Sequence, residues 1–244
     1  MKNLTEGPGT GPSPSGSRDY DLVIFDWDGT LVDSRQVIVD TMRAALEEVG
    51  REPLAPQEMQ QVIGLGLYEA IRSLVPEACE EECERIRVAY GELFKEIPAG
   101  AMPFFPGVEN GLEALKARGQ WLAVATGKSR RGLDRVLGEL GMEGYFHGTR
   151  CADETASKPD PRMLEELLTE FGVPAERAIF VGDTAFDMEM AHRLGMPRIA
   201  ATYGVHAPER LAPWRPQGWA GDFREALGHL GFRNLAGHPA QSYN

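Results

Sequence analysis

Cysteine is scarce in this chain. Cys79, Cys83 and Cys151 are the three in 244 residues, with no spaced framework, which excludes a disulfide-stapled scaffold. Cys79 and Cys83 would sit one helical turn apart, a spacing open to a metal, but small apolar filler or surface thiols is the reading adopted. Long hydrophobic runs are missing too. No stretch approaches a membrane span, and no signal-peptide core follows the N-terminus, so the expectation is a cytoplasmic protein with no membrane partner. Positive charge is in deficit, with 25 Lys and Arg against 37 Asp and Glu and a net charge of −12. That excludes nucleic-acid binding through a basic surface. It leaves room for a local basic pocket, because a field follows the clustering of charge and not its total.

What is present is a chain that is 42% hydrophobic, long enough for one large domain or a core with an insert. Residues 1–18, with "GPGTGPSPSGS", are rich in Gly, Pro and Ser and bury too little surface to offset their ordering entropy, which predicts a disordered leader. Residues 236–244 read as a flexible tail. Between them, short apolar runs (Leu22–Phe25, Trp121–Ala125, Ala178–Val181, Arg198–Thr202) alternate with helical patterns (Arg131–Leu140, Pro161–Phe171, Ala185–Leu194, Phe223–Leu230). This alternation predicts an α/β fold, a Rossmann-like parallel sheet with helices on both faces. Residues 35–101 break the rhythm: Val37–Val49, Pro56–Ile63, Leu67–Leu74 and Glu77–Ile97 read as helices with no strand between them. The expected organisation is therefore an α/β core from 19–34 and 102–235, with an all-helical cap inserted at 35–101. "MPFFPGV" (Met102–Val108) serves as the return linker.

Four consecutive apolar residues, Leu22–Phe25, read as a strand buried on both faces, and it ends in two acids, Asp26 and Asp28. Negative charge beside a dry core is costly unless a positive group offsets it. The ends of parallel strands are also where α/β proteins place ligands. The other strand ends deliver Thr126 and Gly127, then Asp183 and Asp187, and Lys158 precedes the helix near Pro161. Taken singly, Thr126 reads as a helix cap, Lys158 as a solvated lysine, and Asp183 with Asp187 as a cap and a first-turn acid. A common sheet edge would instead gather four acids, a hydroxyl and a lysine. Clustered carboxylates suit Mg²⁺. With such a cation a carboxylate can attack a phosphoryl group while a second acid donates and accepts the proton, and a threonine, helix N–H groups and a lysine hold the phosphate. "ATGKS" resembles the end of a P-loop, but that motif needs glycine at position 122, where Leu122 stands.

Asp26-Trp27-Asp28-Gly29-Thr30, Thr126, Lys158 and Gly182-Asp183-Thr184-Ala185-Phe186-Asp187 resemble the four ordered motifs of the haloacid dehalogenase superfamily. The insert after the first motif resembles its helical-cap subgroup, which includes phosphoglycolate phosphatases and phosphosugar mutases. The resemblance implies Asp26 as nucleophile and Asp28 as acid/base, with Thr126, Gly127 and Lys158 on the phosphate. It implies Mg²⁺ held by Asp26, the Asp28 backbone carbonyl and Asp183, with Asp187 in support. An acid at position 28 points to phosphate esters of small metabolites, with 2-phosphoglycolate the candidate. The alternatives are a phosphosugar mutase and a non-catalytic binding module. "GLGL" (Gly64–Leu67) resembles the cap loop that faces the active site, and Arg72 just beyond it is a candidate for a substrate carboxylate, weighed against a plain surface arginine. The expected partner is a small phosphorylated metabolite, and the chain is expected to be a monomer or homodimer.

Overall fold

The computed structural model describes residues 20–232; the expected leader and the expected tail lie outside the described residues. Six strands form one parallel sheet: β1 (Leu22–Phe25), β2 (Trp121–Thr126), β3 (Gly148–Cys151), β4 (Ala178–Gly182), β5 (Arg198–Ala201) and β6 (Gly218–Ala220), in the spatial order β3-β2-β1-β4-β5-β6. β1 is central, with Leu22 opposite Trp121 on one side and Ala178 on the other. Its four side chains are all buried, as a strand covered on both faces requires. Alternate residues serve opposite faces. Val23, Phe25, Val124, Val181 and Ile199 join one apolar cluster, while Leu22, Ile24, Ala125, Phe180 and Ala200 join another.

Helices α5 (Val108–Ala117), α6 (Arg130–Glu139) and α9 (Phe223–His229) contribute to the first cluster, and α7 (Arg162–Phe171) and α8 (Ala185–Arg193) to the second. The expected α/β, Rossmann-like fold is present. Strand order reverses between β1 and β4, and a crevice at such a reversal is where open α/β sheets place ligands.

Between β1 and β2 the described chain is helical: α1 (Arg35–Glu48), α2 (Pro56–Gln60), α3 (Leu67–Leu74) and α4 (Glu80–Lys95). These helices share an apolar cluster of their own, including Val39, Met42, Met59, Ile63, Ile71 and Ile86. Cys83 is buried in it and Cys79 is exposed; among the described residues, the group of three or more potential ligands close enough to share an ion is Asp26, Asp183 and Asp187. Three elements differ from expectation. The linker reading of Met102–Val108 runs straight into helix α5. The two edge strands β3 and β6 have no counterpart among the expected strands, because "GTRC" is partly exposed and "GWA" is only three residues long. No helix among the described residues is long and apolar enough to cross a membrane.

Candidate active site

The C-terminal ends of β1 and β4 bring the acids together, with Thr126 at the end of β2 beside them. Asp26 follows β1 directly. Its Oδ1 accepts a hydrogen bond from the Trp27 amide at 2.6 Å and pairs with Lys158 Nζ at 2.7 Å. Its Oδ2 is buried and has no partner. Trp27 anchors this turn, fully buried and edge-on to Phe104 and Phe146 at centroid distances of 6.0 and 6.2 Å.

Asp183 follows β4. Thr30 Oγ1 donates to its Oδ1 and the Val205 amide to its Oδ2, each at 2.7 Å. Gly29 makes room for it: φ is +81°, and a Cβ there would fall 2.3 Å from Asp183 Oδ2, so glycine is required on both counts. Asp187, in the first turn of α8, forms a capping box with Thr184. The Thr184 amide and hydroxyl donate to its Oδ2 at 2.9 and 2.8 Å, while its Oδ1 pairs with Lys158 at 2.7 Å. Lys158 thus bridges Asp26 and Asp187 in a fully buried position.

Asp26, Asp183 and Asp187 offer carboxylate oxygens within 4.8 Å of one another. Three carboxylates against one ammonium leave two uncompensated negative charges if all are ionised. The electrostatics register this. Burial, with the neighbouring acids adding to it and Lys158 opposing, pushes Asp26 well above the usual carboxylate range. Burial and Asp187 push Asp183 up to about 7. Burial pulls Lys158 down, but Asp187 and Asp26 outweigh it and its net shift is upward. A divalent cation fits this donor set: hard oxygen ligands, an orphaned Asp26 oxygen, and charge that needs balancing.

Asp28 lines the same cleft but stands outside the three-carboxylate group. Its Oδ1 accepts from Ser34 Oγ at 2.7 Å, and its Oδ2 pairs with Lys128 Nζ at 3.1 Å. Lys128 is absent from the residues singled out in the sequence, and so is Ser34. Thr126 is buried at the end of β2, where its Oγ1 accepts from the Lys128 amide at 3.2 Å. It does not cap α6. Ser129 does, accepting from the Gly132 amide.

The helical layer reaches this edge. A Cβ on Gly127 would lie 2.5 Å from the Leu65 carbonyl oxygen and 2.6 Å from that of Gly64, so the 64–65 backbone rests on Gly127. The Gly66 amide donates to Ser157 Oγ at 2.8 Å. The Ala185 amide donates to His206 Nδ1 at 2.9 Å, which leaves Nε2 protonated and 3.3 Å from the Gln61 carbonyl. Arg210 reaches the Gln61 side chain. Burial, then Arg210, lowers His206 to about 4. Arg72 is turned away, donating to the Ala78 carbonyl at 2.7 Å with Cys83 Sγ 3.7 Å off. Between the layers lies a cavity of about 840 Å³, lined by Asp26, Asp28, Gly127 and Lys128 on one side and by α1, α3, α4 and the Met59–Gly66 segment on the other.

This arrangement meets its counterpart among known proteins. A family model for haloacid dehalogenase-like hydrolases matches residues 23–201. "Probable phosphatase IndB" of Dickeya dadantii (strain 3937) is 36% identical over 213 residues, 85% of this chain and 92% of that protein. The phosphoglycolate phosphatase of Aquifex aeolicus (strain VF5) is 31% identical over 188 residues, 75% of this chain and 85% of that protein. A crystal structure of a predicted phosphoglycolate phosphatase from Haemophilus somnus 129pt superimposes with a TM-score of 0.79 at 26% identity, covering 87% of this chain and 98% of the other. The chain belongs to the haloacid dehalogenase-like hydrolase family, among its phosphatases.

Proposed function

We propose that the protein is a Mg²⁺-dependent phosphomonoesterase of small phosphorylated metabolites that works through an aspartyl-phosphate on Asp26, with 19–34 and 102–235 as catalytic core and 35–101 as cap. The observation that carries this reading is Asp26 itself, oriented by Lys158 and the Trp27 amide through one oxygen while the other is buried without a partner. Asp26, the Asp28 backbone carbonyl and Asp183 would hold Mg²⁺, with Asp187 supporting. Its chemistry there is to neutralise the charge that otherwise keeps a carboxylate from an anionic phosphoryl group.

The chain's own groups do the rest. Asp26 attacks phosphorus and displaces the ester oxygen. Asp28, in its protonated form, gives that oxygen its proton, then takes a proton from the water that opens the acyl phosphate. Lys128 and Ser34 hold the Asp28 carboxyl in place. Thr126, Gly127 and Lys158 hold the non-bridging phosphate oxygens.

Hydrolysis of a generic aryl phosphate is expected to require Mg²⁺. Full activity after exhaustive chelation overturns the reading. Among metabolites, 2-phosphoglycolate, the substrate in several relatives' names, is the first to assay. A hexose phosphate incubated in parallel separates hydrolysis from mutase action: free phosphate supports the former, an isomeric sugar phosphate the latter.

A further inference from the structure

The cavity over Asp26 is large for a two-carbon acid. At about 840 Å³ it lies near the top of the range that accommodates drug-sized ligands, whereas a glycolate body adds only a few atoms beyond the phosphate. The wall opposite the acids has an apolar stretch, formed by Ile38, Val39 and Met42 from α1, Met59 and Ile63, and Tyr90 and Phe94 from α4, with Glu69, Arg87, Glu92 and Lys95 also in the lining. A polar anchor stands within it. Tyr90 lines the same cavity as Asp28 and lies close enough to feel its charge. Its ring stacks on Phe94 (centroids 5.5 Å, interplanar angle 17°) and Phe94 lies under Lys128 Nζ at 4.7 Å, so the aromatic pair continues from the Asp28–Lys128 ion pair. Among the described residues nothing hydrogen-bonds the Tyr90 hydroxyl. Tyr90 is half-buried, and its hydroxyl is open to the cavity, where a ligand oxygen can take the place of water as its partner.

We propose that this site takes phosphomonoesters whose organic part is an apolar body well beyond two carbons carrying a hydroxyl or carbonyl oxygen, with Tyr90 as the specificity-determining residue that bonds that oxygen. The proposal rests on the phosphatase reading above. The phosphate is held at the strand ends, the body extends along Ile38, Met42 and Phe94, and Tyr90 reads its oxygen. Methionines at two positions of the wall let it adapt to the shape of the body.

The test is kcat/KM of the full-length, Mg²⁺-supplied protein along a series of alkyl phosphates from ethyl to octyl, beside 2-phosphoglycolate. A second series, monophosphates of α,ω-diols, is matched to the first in length. The expected result is a rise of about fourfold for each methylene buried, with the longer esters surpassing 2-phosphoglycolate. At some length the diol ester should exceed its alkyl partner by about tenfold, the scale of one well-made hydrogen bond. Tyr90→Phe should cancel that diol preference, and Ile38→Phe, which fills the cavity, should flatten the chain-length profile. A flat or falling profile with 2-phosphoglycolate best overturns the proposal and leaves the phosphatase reading standing. A Tyr90→Phe enzyme that keeps the diol preference overturns the role of Tyr90. If no ester in either series, nor an aryl phosphate, is hydrolysed, the phosphatase reading falls and takes the proposal with it.

Discussion

The two walls of the cleft are built on opposite plans. On the sheet side, each acid is fixed by specific partners: Asp26 by Lys158 and Trp27, Asp183 by Thr30 and Val205, Asp187 by Thr184 and Lys158, Asp28 by Ser34 and Lys128. Those partners come from strand ends and from the turns and helix starts that follow them, so the geometry is set by the sheet. On the helical side, the wall includes Val39, Met42, Met59 and Ile63, which belong to a separate apolar cluster. A volume-conserving change there is tolerated where a displaced carboxylate is not. The contrast teaches a division of labour: changes on the sheet side should cost turnover with every substrate, and changes on the helical side should alter the ratios between substrates.

The largest effect is expected at Asp26. Asp26→Asn removes the proposed nucleophile and should lower kcat by about 10⁵-fold or more, the scale reached when a nucleophile is deleted, with no phosphoenzyme trapped after acid quench. Near-normal turnover would exclude the covalent route. Asp28→Asn keeps Asp26 and removes the proposed proton donor, so a loss of about 10²–10⁴-fold is expected. The loss should be smaller for an aryl phosphate, whose leaving group needs less protonation, and an equal loss on aryl and alkyl esters would argue against the acid role.

Much of the sheet side is legible in the sequence because each of its parts is local. An apolar run that ends in Asp26 and Asp28, and a Gly-Asp that opens a capping box, announce themselves within a few residues. What escaped depends on distance. Lys128 directly follows Gly127, yet its pairing with Asp28 joins positions a hundred residues apart, and no spacing signals that. Tyr90 reads as one more apolar position of a helix until α4 is laid against the strand ends. The edge strand β3, "GTRC", lacks an apolar run because one flank of an edge strand is open to polar surroundings. Helix α5 was readable, since Val108, Leu112 and Leu115 keep helical spacing; the linker reading of Met102–Val108 stopped short of it.

Gly127 belongs to both walls, which makes it the sharpest place to test their contact. In Gly127→Ala the new Cβ would stand 2.5 Å from the Leu65 carbonyl, closer than real contacts allow, so the 64–65 segment must lift. Displacement by about an ångström can cost about 10²-fold in rate. The loss is expected on generic and metabolite esters alike, because Gly127 is also proposed to hold the phosphate that both share, and Tm should change little. Wild-type rates in this variant would mean that closure over Gly127 is not needed for turnover.

The smallest effect in absolute rate, and the most discriminating, is expected at Gly66. Its φ of −60° is open to any residue, so valine adds bulk without backbone strain. The added Cβ would lie 2.5 Å from Glu69 Oε2, the far end of a flexible side chain that can swing aside, 3.1 Å from Ala152 Cβ and 3.3 Å from Ser157 Oγ, and it sits beside the 2.8 Å bond from the Gly66 amide to Ser157. The start of α3 is therefore pushed off the sheet side, and the helical wall shifts while Asp26 and Thr126 stay where the strands put them and Lys158 stays held by Asp26 and Asp187. A small generic ester needs only those fixed groups, whereas a larger metabolite also needs the wall. Gly66→Val should lower kcat/KM about tenfold more on the preferred metabolite than on the aryl phosphate, chiefly through KM, because contacts to the body of the substrate are made in the ground state and the transition state alike. Lys158→Met serves as the opposite control, since both substrates carry the phosphate and both should suffer equally. An equal loss on the two substrates from Gly66→Val, in a protein that melts like the wild type, would mean that the helical wall closes the site without selecting what enters it.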